Sequence, residues 1–371
     1  MTIAISADSH VTEAPNTYLD YCEPSFRDRA PRVSEEEDGV AFIIEGMGAI
    51  KIGPAAAAGI PPEDRKKIMK SMSDLHRGGW DSNYRLEAQD LDGVSAEVIY
   101  PTIGMLVCNH PDFDYKHACF QAYNRWIAEY CAIAPDRLLG AGQTAMRSPE
   151  EGIRDIQAIK AAGLRGVMMP GVPQVEDYDS PVYDDFWEAA IENGIPLSFH
   201  ILAAGGRAAP NRGPKVNQFQ TTIRGVQDIM GMLVFGGVFE RHPKLKLVCA
   251  EADAGWTPHY AHRLDRAYTE HRHHMPGQDL AKLPSEYFFE HMYFTFQDDP
   301  TAFKFADSMN WKQLLWANDY PHSDATWPNS QALLAEQTKC VTPEQKRAIL
   351  GENAAKLYNI DLSAIGQKLA A

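Results

Sequence analysis

Four side chains that can bind a divalent cation each stand at the end of a short apolar run in the sequence: Asp8, His10, His200 and Asp319. Asp8 and His10 are two residues apart, so both side chains project to the same side of an extended strand. Two imidazoles and two carboxylates form a mixed set of nitrogen and oxygen donors, which suits zinc, manganese or iron(II). We therefore predict one divalent metal ion bound by these four residues.

Each of the four residues also has a simpler explanation when it is taken alone. Asp and His at strand ends commonly form turns or cap helices, and Asp319 is followed by Tyr320-Pro321, which is a turn sequence. Four unrelated turn residues would not be expected to meet on one rim. The metal site therefore depends on a fold in which the ends of distant strands converge.

Eight apolar runs alternate with helical patterns along the chain, which is typical of a parallel sheet with crossover helices. Eight such strands favour a closed barrel over an open sheet, and in a barrel the carboxyl ends of all strands meet at one mouth. We predict a single α/β domain, a (β/α)8 TIM barrel that spans residues 1–371. The eight runs are Ile3–Ala7, Ala96–Tyr100, Leu138–Ala141, Gly166–Met169, Ile195–Phe199, Leu245–Ala250, Met292–Phe296 and Leu314–Ala317.

Helix boundaries and one long interruption can also be read from the sequence. Ser148-Pro149-Glu150-Glu151 is a capping box with proline at the first helical position, and Thr342-Pro343-Glu344-Gln345 begins a later helix in the same way. A further helix is predicted from about Val182 to Asn193 and ends at Gly194. Residues 18–90 are too many for a plain loop between the first two strands. We interpret them as an insertion that lies over the C-terminal face of the barrel as a lid.

The composition limits the classes of partner. The chain has 371 residues, 44% of them hydrophobic, and a formal net charge of −15, which disfavours nucleic acid and anionic membranes as partners. The amino terminus does not resemble a signal peptide, and no run of about 18 apolar residues could span a bilayer. The six cysteines include no Cys-x-x-Cys pair. We expect a cytoplasmic protein with reduced thiols whose partner is a small-molecule substrate.

Three residues near the predicted barrel mouth are candidates for acid–base chemistry. Glu251 follows the sixth apolar run and could act as a base, shuttle a proton, join the metal site or form a structural salt bridge. Asp319 could also receive a proton. His322, three residues later, could hydrogen-bond the substrate or the ligands, or only cap its loop. We predict Glu251, Asp319 and His322 as catalytic residues.

Three further side chains are candidates for substrate binding. Arg77 and Arg85 lie in or just after the insertion, where a guanidinium could pair with a substrate carboxylate through two hydrogen bonds, although exposed arginines usually have no such role. Trp256 could form one wall of an aromatic-sized pocket, and core packing would explain this tryptophan equally well.

Five short segments carry a family resemblance, and they are spread along nearly the whole chain, except much of the part before about residue 85. They are Asp8–Glu13, Pro196–His200, Phe239–Lys246, Asn318–His322 and Asn353–Tyr358. These segments resemble the amidohydrolase-related family, in the branch that includes aminocarboxymuconate-semialdehyde decarboxylase and related aromatic-acid decarboxylases. The resemblance implies a metal-dependent barrel enzyme with Asp8, His10, His200 and Asp319 as metal ligands. It also implies a homo-oligomer, although no residue pattern in this chain specifies an interface.

Two positions depart from the family pattern. The decarboxylases carry a catalytic histidine after the sixth strand, where this chain has Ala250-Glu251-Ala252. Binuclear members of the wider superfamily have a bridging lysine at the end of the fourth strand, where this chain has Met168-Met169-Pro170. We therefore predict a mononuclear site with Glu251 at the position of the histidine.

These features support more than one function. The first is a metal-dependent hydrolase, in which a metal-activated water attacks an amide, ester, thioester or activated carbon–carbon bond of a small, aromatic or cyclic substrate. The alternative is a non-oxidative decarboxylase of an aromatic or unsaturated carboxylic acid. The family resemblance favours decarboxylation, whereas the loss of the expected histidine favours hydrolysis, and we predict hydrolysis. A non-catalytic barrel that binds a metal or ligand is a third interpretation, and the complete donor set disfavours it.

Overall fold

Eleven strands form two sheets in the computed structural model, which describes residues 3–36, 39–68, 70–203, 213–275, 277 and 279–365. In chain order they are β1 Ile5–His10, β2 Arg32–Glu36, β3 Gly39–Ile44, β4 Gly48–Lys51, β5 Ala96–Tyr100, β6 Leu138–Gln143, β7 Gly166–Met169, β8 Leu197–His200, β9 Leu247–Ala250, β10 Met292–Phe296 and β11 Leu314–Trp316. β1 and β5 to β11 form one parallel sheet in that order, and β2, β3 and β4 form an antiparallel sheet.

The parallel sheet closes on itself between its first and last strands. Just beyond β11, the backbone N–H of Asp319 donates to the carbonyl of Asp8 (3.1 Å), and the N–H of His10 donates to the carbonyl of Tyr320 (2.7 Å). The barrel strands are buried along their length because helices cover the outside and side chains fill the inside, which explains their apolar runs. This architecture confirms the predicted TIM barrel.

β1 differs from its prediction at its carboxyl end. The apolar run stops at Ala7, but the strand continues to His10, so Asp8 and His10 lie within the strand and not after it. The pairing of β1 with β5 contains a bulge between Ser6 and Ser9. Bulges occur next to active sites because they redirect the side chains around them.

The helices of the described residues alternate with the barrel strands, and the predicted caps are present. The hydroxyl of Ser148 accepts the backbone N–H of Glu151, and Gly194 ends its helix at a φ of 58°. None of these helices is long and apolar enough to cross a membrane. The α-helices are Thr17–Tyr21, Pro62–Ile68, Ser82–Asp92, Ile103–Val107, Phe113–Ala132, Pro149–Ala161, Asp184–Asn193, Asn217–Thr221, Ile223–Phe235, Val238–Arg241, Thr257–His271, Pro284–His291, Pro300–Lys304, Ser330–Gln337, Pro343–Arg347 and Asn353–Tyr358.

The segment between β1 and β5 contains the antiparallel sheet and packs against the barrel. Phe42 of β3 belongs to the same buried apolar cluster as the barrel strands. The carbonyl of Gly79 accepts the N–H of Thr12 (3.1 Å), and the N–H of Ala58 donates to the carbonyl of Pro321 (3.0 Å). These bonds join the inserted segment to the loops that follow β1 and β11, on the side of the barrel where the carboxyl ends of the strands meet.

Candidate metal centre

Two histidines and three carboxylates converge at the carboxyl ends of β1, β8, β9 and β11. The Nε2 atom of His10 lies 3.4 Å from Asp8 Oδ1, 3.4 Å from Glu251 Oε2 and 3.5 Å from Asp319 Oδ1. The Nε2 atom of His200 lies 3.5 Å from Asp8 Oδ1 and 3.3 Å from Glu251 Oε2. The structure therefore brings together all four predicted metal ligands, and it adds Glu251 to them.

None of these converging atoms has a hydrogen-bond partner among the described residues. The unpartnered atoms are Asp8 Oδ1, His10 Nε2, His200 Nε2, Glu251 Oε2 and both carboxylate oxygens of Asp319. Burying polar atoms without hydrogen-bond partners costs free energy, so this cluster of donor atoms is expected to bind a ligand between them. Donors about 2.1 Å from one cation lie roughly 3.0–3.5 Å apart at octahedral or tetrahedral angles, which agrees with the measured separations. The donor set thus fits a divalent metal ion.

Backbone carbonyls orient the two imidazoles. His10 Nδ1 donates to the carbonyl of Pro101 and His200 Nδ1 donates to the carbonyl of Ile201, each at 3.0 Å. Because a carbonyl can only accept, each Nδ1 carries the proton, and each Nε2 keeps the lone pair that a metal requires. Hydrogen bonds of this kind are the usual support of metal-binding histidines.

Thr295 of β10 contacts two members of the cluster, and the sequence analysis did not identify it. Its hydroxyl lies 2.7 Å from Asp8 Oδ2 and 2.7 Å from the backbone nitrogen of Glu251. A polar residue inside the apolar run of β10 was the available signal. Threonine is common in strands, however, so the signal was weak.

The backbone at the strand ends adopts a conformation that residues other than glycine rarely occupy. Leu202, Glu251, Asp253 and Asp319 have φ values of 63°, 55°, 55° and 57°. A positive φ in a residue other than glycine costs free energy, and such residues cluster at functional sites, where the surrounding structure stabilises this conformation. Two of the four, Glu251 and Asp319, are members of the donor cluster.

His322 packs beside the donors and is held from behind by Thr102. The Nδ1 atom of His322 lies 3.1 Å from Asp319 Oδ1, and its ring stacks on that of His10 at 3.9 Å. The Thr102 hydroxyl donates to the carbonyl of Val11 (2.6 Å), so it accepts a hydrogen bond from His322 Nε2 (2.9 Å). Thr102, also missed in the sequence, thereby fixes the orientation of His322.

Burial and the mutual proximity of the charges shift the pKa values strongly. Burial, followed by the negative charges of Glu251, Asp324 and Asp8, raises the pKa of Asp319 well above its ordinary value. Burial opposes the charge on His10, but its contacts with the carboxylates of Asp8 and Glu251 raise its pKa to about 9. A bound cation would act against both of these shifts. A bound cation favours ionised carboxylates and neutral imidazoles.

The comparisons with known proteins identify the family. A family model described as amidohydrolase matches residues 93–360. The chain belongs to the amidohydrolase family. This confirms the resemblance carried by the sequence motifs.

Two curated relatives of this amidohydrolase match most of its length. One is 2-amino-3-carboxymuconate-6-semialdehyde decarboxylase of Dictyostelium discoideum, 23% identical over 301 residues, which are 79% of this chain and 80% of the relative. The other is gamma-resorcylate decarboxylase of Rhizobium sp. (strain MTP-10005), 22% identical over 335 residues, which are 82% of this chain and 94% of the relative.

Solved structures confirm the fold of this amidohydrolase. An amidohydrolase of Mycobacterium avium subsp. paratuberculosis superposes with a TM-score of 0.77 at 19% identity, over 97% of this chain and 99% of the other. A dihydroxybenzoic acid decarboxylase of Polaromonas sp. JS666, with bound manganese and the inhibitor 2-nitroresorcinol, gives a TM-score of 0.66 at 16% identity, over 98% and 99% of the two chains.

The structure corrects the prediction that Arg85 of this amidohydrolase binds substrate. Its side chain is fully buried, and its guanidinium bonds to Glu97 Oε2 (2.5 Å) and to the carbonyls of His10 (2.6 Å) and Tyr320 (3.3 Å). The guanidinium also lies over the ring of Tyr320. Arg85 therefore joins β1 to the loop after β11 and has no exposed surface to offer a substrate carboxylate.

Arg77 and Trp256 also have contacts away from the donor cluster. Arg77 is exposed, pairs with Asp81 (3.0 Å) and lies over the ring of Tyr84. Trp256 packs against Phe294, whose neighbour in β10, Thr295, points to Asp8. Because adjacent strand residues face opposite sides, Trp256 lies in the helical layer outside the barrel. This geometry agrees with the core-packing alternative for Trp256 and not with a wall of the metal centre.

Proposed function

We propose that this amidohydrolase is a metal-dependent, non-oxidative decarboxylase of an aromatic or unsaturated carboxylic acid. The observation that carries the proposal is that the two curated relatives described above, each matched over about four fifths of the chain, are decarboxylases. The cation-binding donor set at the barrel mouth supports it. Decarboxylation, the alternative function in the sequence analysis, thus has better support than hydrolysis.

In this proposal Asp8, His10, His200 and Asp319 hold one divalent cation, with Glu251 as a neighbour that contacts both imidazoles. Manganese is a candidate because it is bound in related decarboxylase structures, and the nitrogen and oxygen donors also suit zinc or iron(II). When bound, the cation supplies positive charge that holds the substrate carboxylate and stabilises the negative charge of the transition state.

The side chains that can touch a substrate are distinguished by their exposure. The side chains of Glu251 and His322 are 10% and 9% exposed, whereas those of Asp8, His10, His200 and Asp319 are at most 1% exposed. Glu251 and His322 therefore face the open side of the centre. We assign Glu251 as the acid that protonates the substrate carbon as carbon dioxide leaves, with His322 beside Asp319 as a side chain that can contact the substrate.

The carboxylate of Glu251 also supports a second candidate function. An ionised carboxylate, at the position where the related decarboxylases carry a histidine, can accept a proton from water as a general base. A hydrolase would use Glu251 to remove a proton from a water molecule that attacks an amide or ester. The two functions assign the same residue opposite proton transfers, so they can be separated by experiment.

The test uses manganese-loaded and zinc-loaded protein with a panel of hydroxybenzoates and unsaturated acids, and it measures release of carbon dioxide. In heavy water, deuterium is expected at the carbon that lost the carboxylate. Glu251→Gln is expected to lower kcat by roughly 100-fold or more, because a missing general acid costs that much. Glu344→Gln, which changes an exposed carboxylate, is the matched control and is expected to retain full activity. Hydrolysis of amides or esters by loaded protein that releases no carbon dioxide from the panel would refute the proposal.

A further inference from the structure

We propose that Thr295 is a positioning residue of the metal centre: its hydroxyl selects the oxygen of Asp8 that faces the cation and ties Asp8 to Glu251. The inference rests on the proposed metal-dependent function, because it concerns the geometry of the same donor set. It assigns a role to a side chain that contacts neither substrate nor metal.

The direction of both hydrogen bonds of Thr295 follows from its chemistry. A hydroxyl has one proton, and the backbone N–H of Glu251 can only donate. The hydroxyl oxygen therefore accepts from Glu251 N (2.7 Å), and its single proton goes to Asp8 Oδ2 (2.7 Å). Thr295 is 1% exposed, so water does not compete for either bond.

For Asp8, the consequence is that the two carboxylate oxygens become different. Oδ2 is occupied by the Thr295 hydroxyl, whereas Oδ1 has no hydrogen-bond partner and lies 3.4 Å from His10 Nε2 and 3.5 Å from His200 Nε2. Without the hydroxyl, the carboxylate is free to rotate or to turn both oxygens inward. Thr295 thus presents Asp8 as a donor through one defined oxygen.

For Glu251, the same hydroxyl holds the backbone that presents the side chain. Glu251 has a φ of 55°, and its N–H bond to Thr295 is part of what stabilises this unfavourable conformation. β11 lies between β10 and β1, so the bond from Thr295 to Asp8 joins two strands that are not paired with each other. One hydroxyl therefore links a donor on β1 with a donor that follows β9.

The test measures the affinity of metal-stripped protein for Mn²⁺ and Zn²⁺ by competition with a chelating indicator. Thr295→Val keeps the shape of the side chain and removes the hydroxyl, and it is expected to weaken metal binding by about 10–100-fold, as losses of ligand-supporting hydrogen bonds do. Thr295→Ser keeps the hydroxyl and is expected to bind within about 3-fold of the unmodified protein. A merely structural role would not distinguish the two variants in this way.

Two further variants keep the outcome interpretable. Thr338→Val is the matched control, because Thr338 is also buried but its hydroxyl donates to the backbone carbonyl of Leu334 and not to a member of the donor set. If Thr295→Val does not fold, as shown by far-UV circular dichroism of the metal-free protein, Thr295→Ala replaces it. Unchanged affinity in the folded variant lacking the hydroxyl, while His10→Ala loses metal, would refute the role of Thr295 and leave the metal centre intact. Unchanged affinity in His10→Ala itself would refute the metal centre.

Discussion

The buried pair of Arg85 and Glu97 gives a prediction that separates a structural arginine from a substrate-binding one. Arg85 is fully buried and Glu97 is 1% exposed. Arg85→Met removes the positive charge and leaves the carboxylate of Glu97 uncompensated in the protein interior. It also removes the donors to the carbonyls of His10 and Tyr320, which join β1 to the loop after β11.

The expected magnitude follows from the burial. Breaking a buried ion pair by removing one partner costs about 3–5 kcal/mol in the free energy of unfolding. Arg77 is the matched control, because it also pairs with an aspartate and lies over a tyrosine ring, but its side chain is 57% exposed. For Arg77→Met we expect a loss of about 0–1 kcal/mol, since exposed pairs contribute little.

The assay is equilibrium unfolding in urea at constant metal concentration, with refolding from the unfolded end point to establish reversibility. The double variant Arg85→Met/Glu97→Gln is expected to recover part of the loss, because the uncompensated charge is gone. A loss below about 1 kcal/mol for Arg85→Met, together with a KM raised about tenfold, would refute the structural role and restore Arg85 as a substrate ligand.

Two more predictions concern the metal and a buried amine. Dialysis against a chelator is expected to abolish activity and to lower the midpoint of urea unfolding. Addition of Mn²⁺ or Zn²⁺ is expected to restore both, because a ligand that binds only the folded state stabilises it. Activity that survives complete metal removal would contradict this prediction. Burial lowers the pKa of Lys116 to about 8, so between about pH 8 and 10 the unfolded chain binds more protons and stability rises with pH. Lys116→Met is therefore expected to raise the free energy of unfolding by roughly 1–3 kcal/mol at pH 7, a gain that vanishes near pH 10. The same difference between the variant and the unmodified protein at both pH values, measured by urea unfolding, would contradict this prediction.

Strand positions could be predicted from the sequence because barrel strands are buried on both faces and form continuous apolar runs. β7 and β10 agree with the prediction at both ends. The residues of the donor cluster were found for a topological reason, because strands that are distant in sequence end at the same mouth. β1 was predicted less well, since Asp8 and His10 are polar and end the apolar run, although the strand continues through them.

The remaining errors concern the direction and environment of side chains, which residue type does not encode. Arg85 was a candidate for substrate binding, but its partner Glu97 lies in β5 and the pair is buried inside the protein. Thr295 was overlooked because threonine fits a strand for its shape alone, and only the neighbouring Asp8 and Glu251 reveal the use of its hydroxyl.

The barrel seam, where the loop after β11 bonds to β1, lies at the metal centre, so the two ends of the fold meet where the cation is expected. Asp8 and Asp319 are roughly 300 residues apart, and a shared cation would close a chain loop of that length, whose entropy cost grows with the number of residues in it. During synthesis β1 cannot form its bonds to the loop after β11 until that loop has been made. The donor set is complete only after Asp319 has been synthesised, and acquisition of the metal thus requires that the loop after β11 has docked against β1.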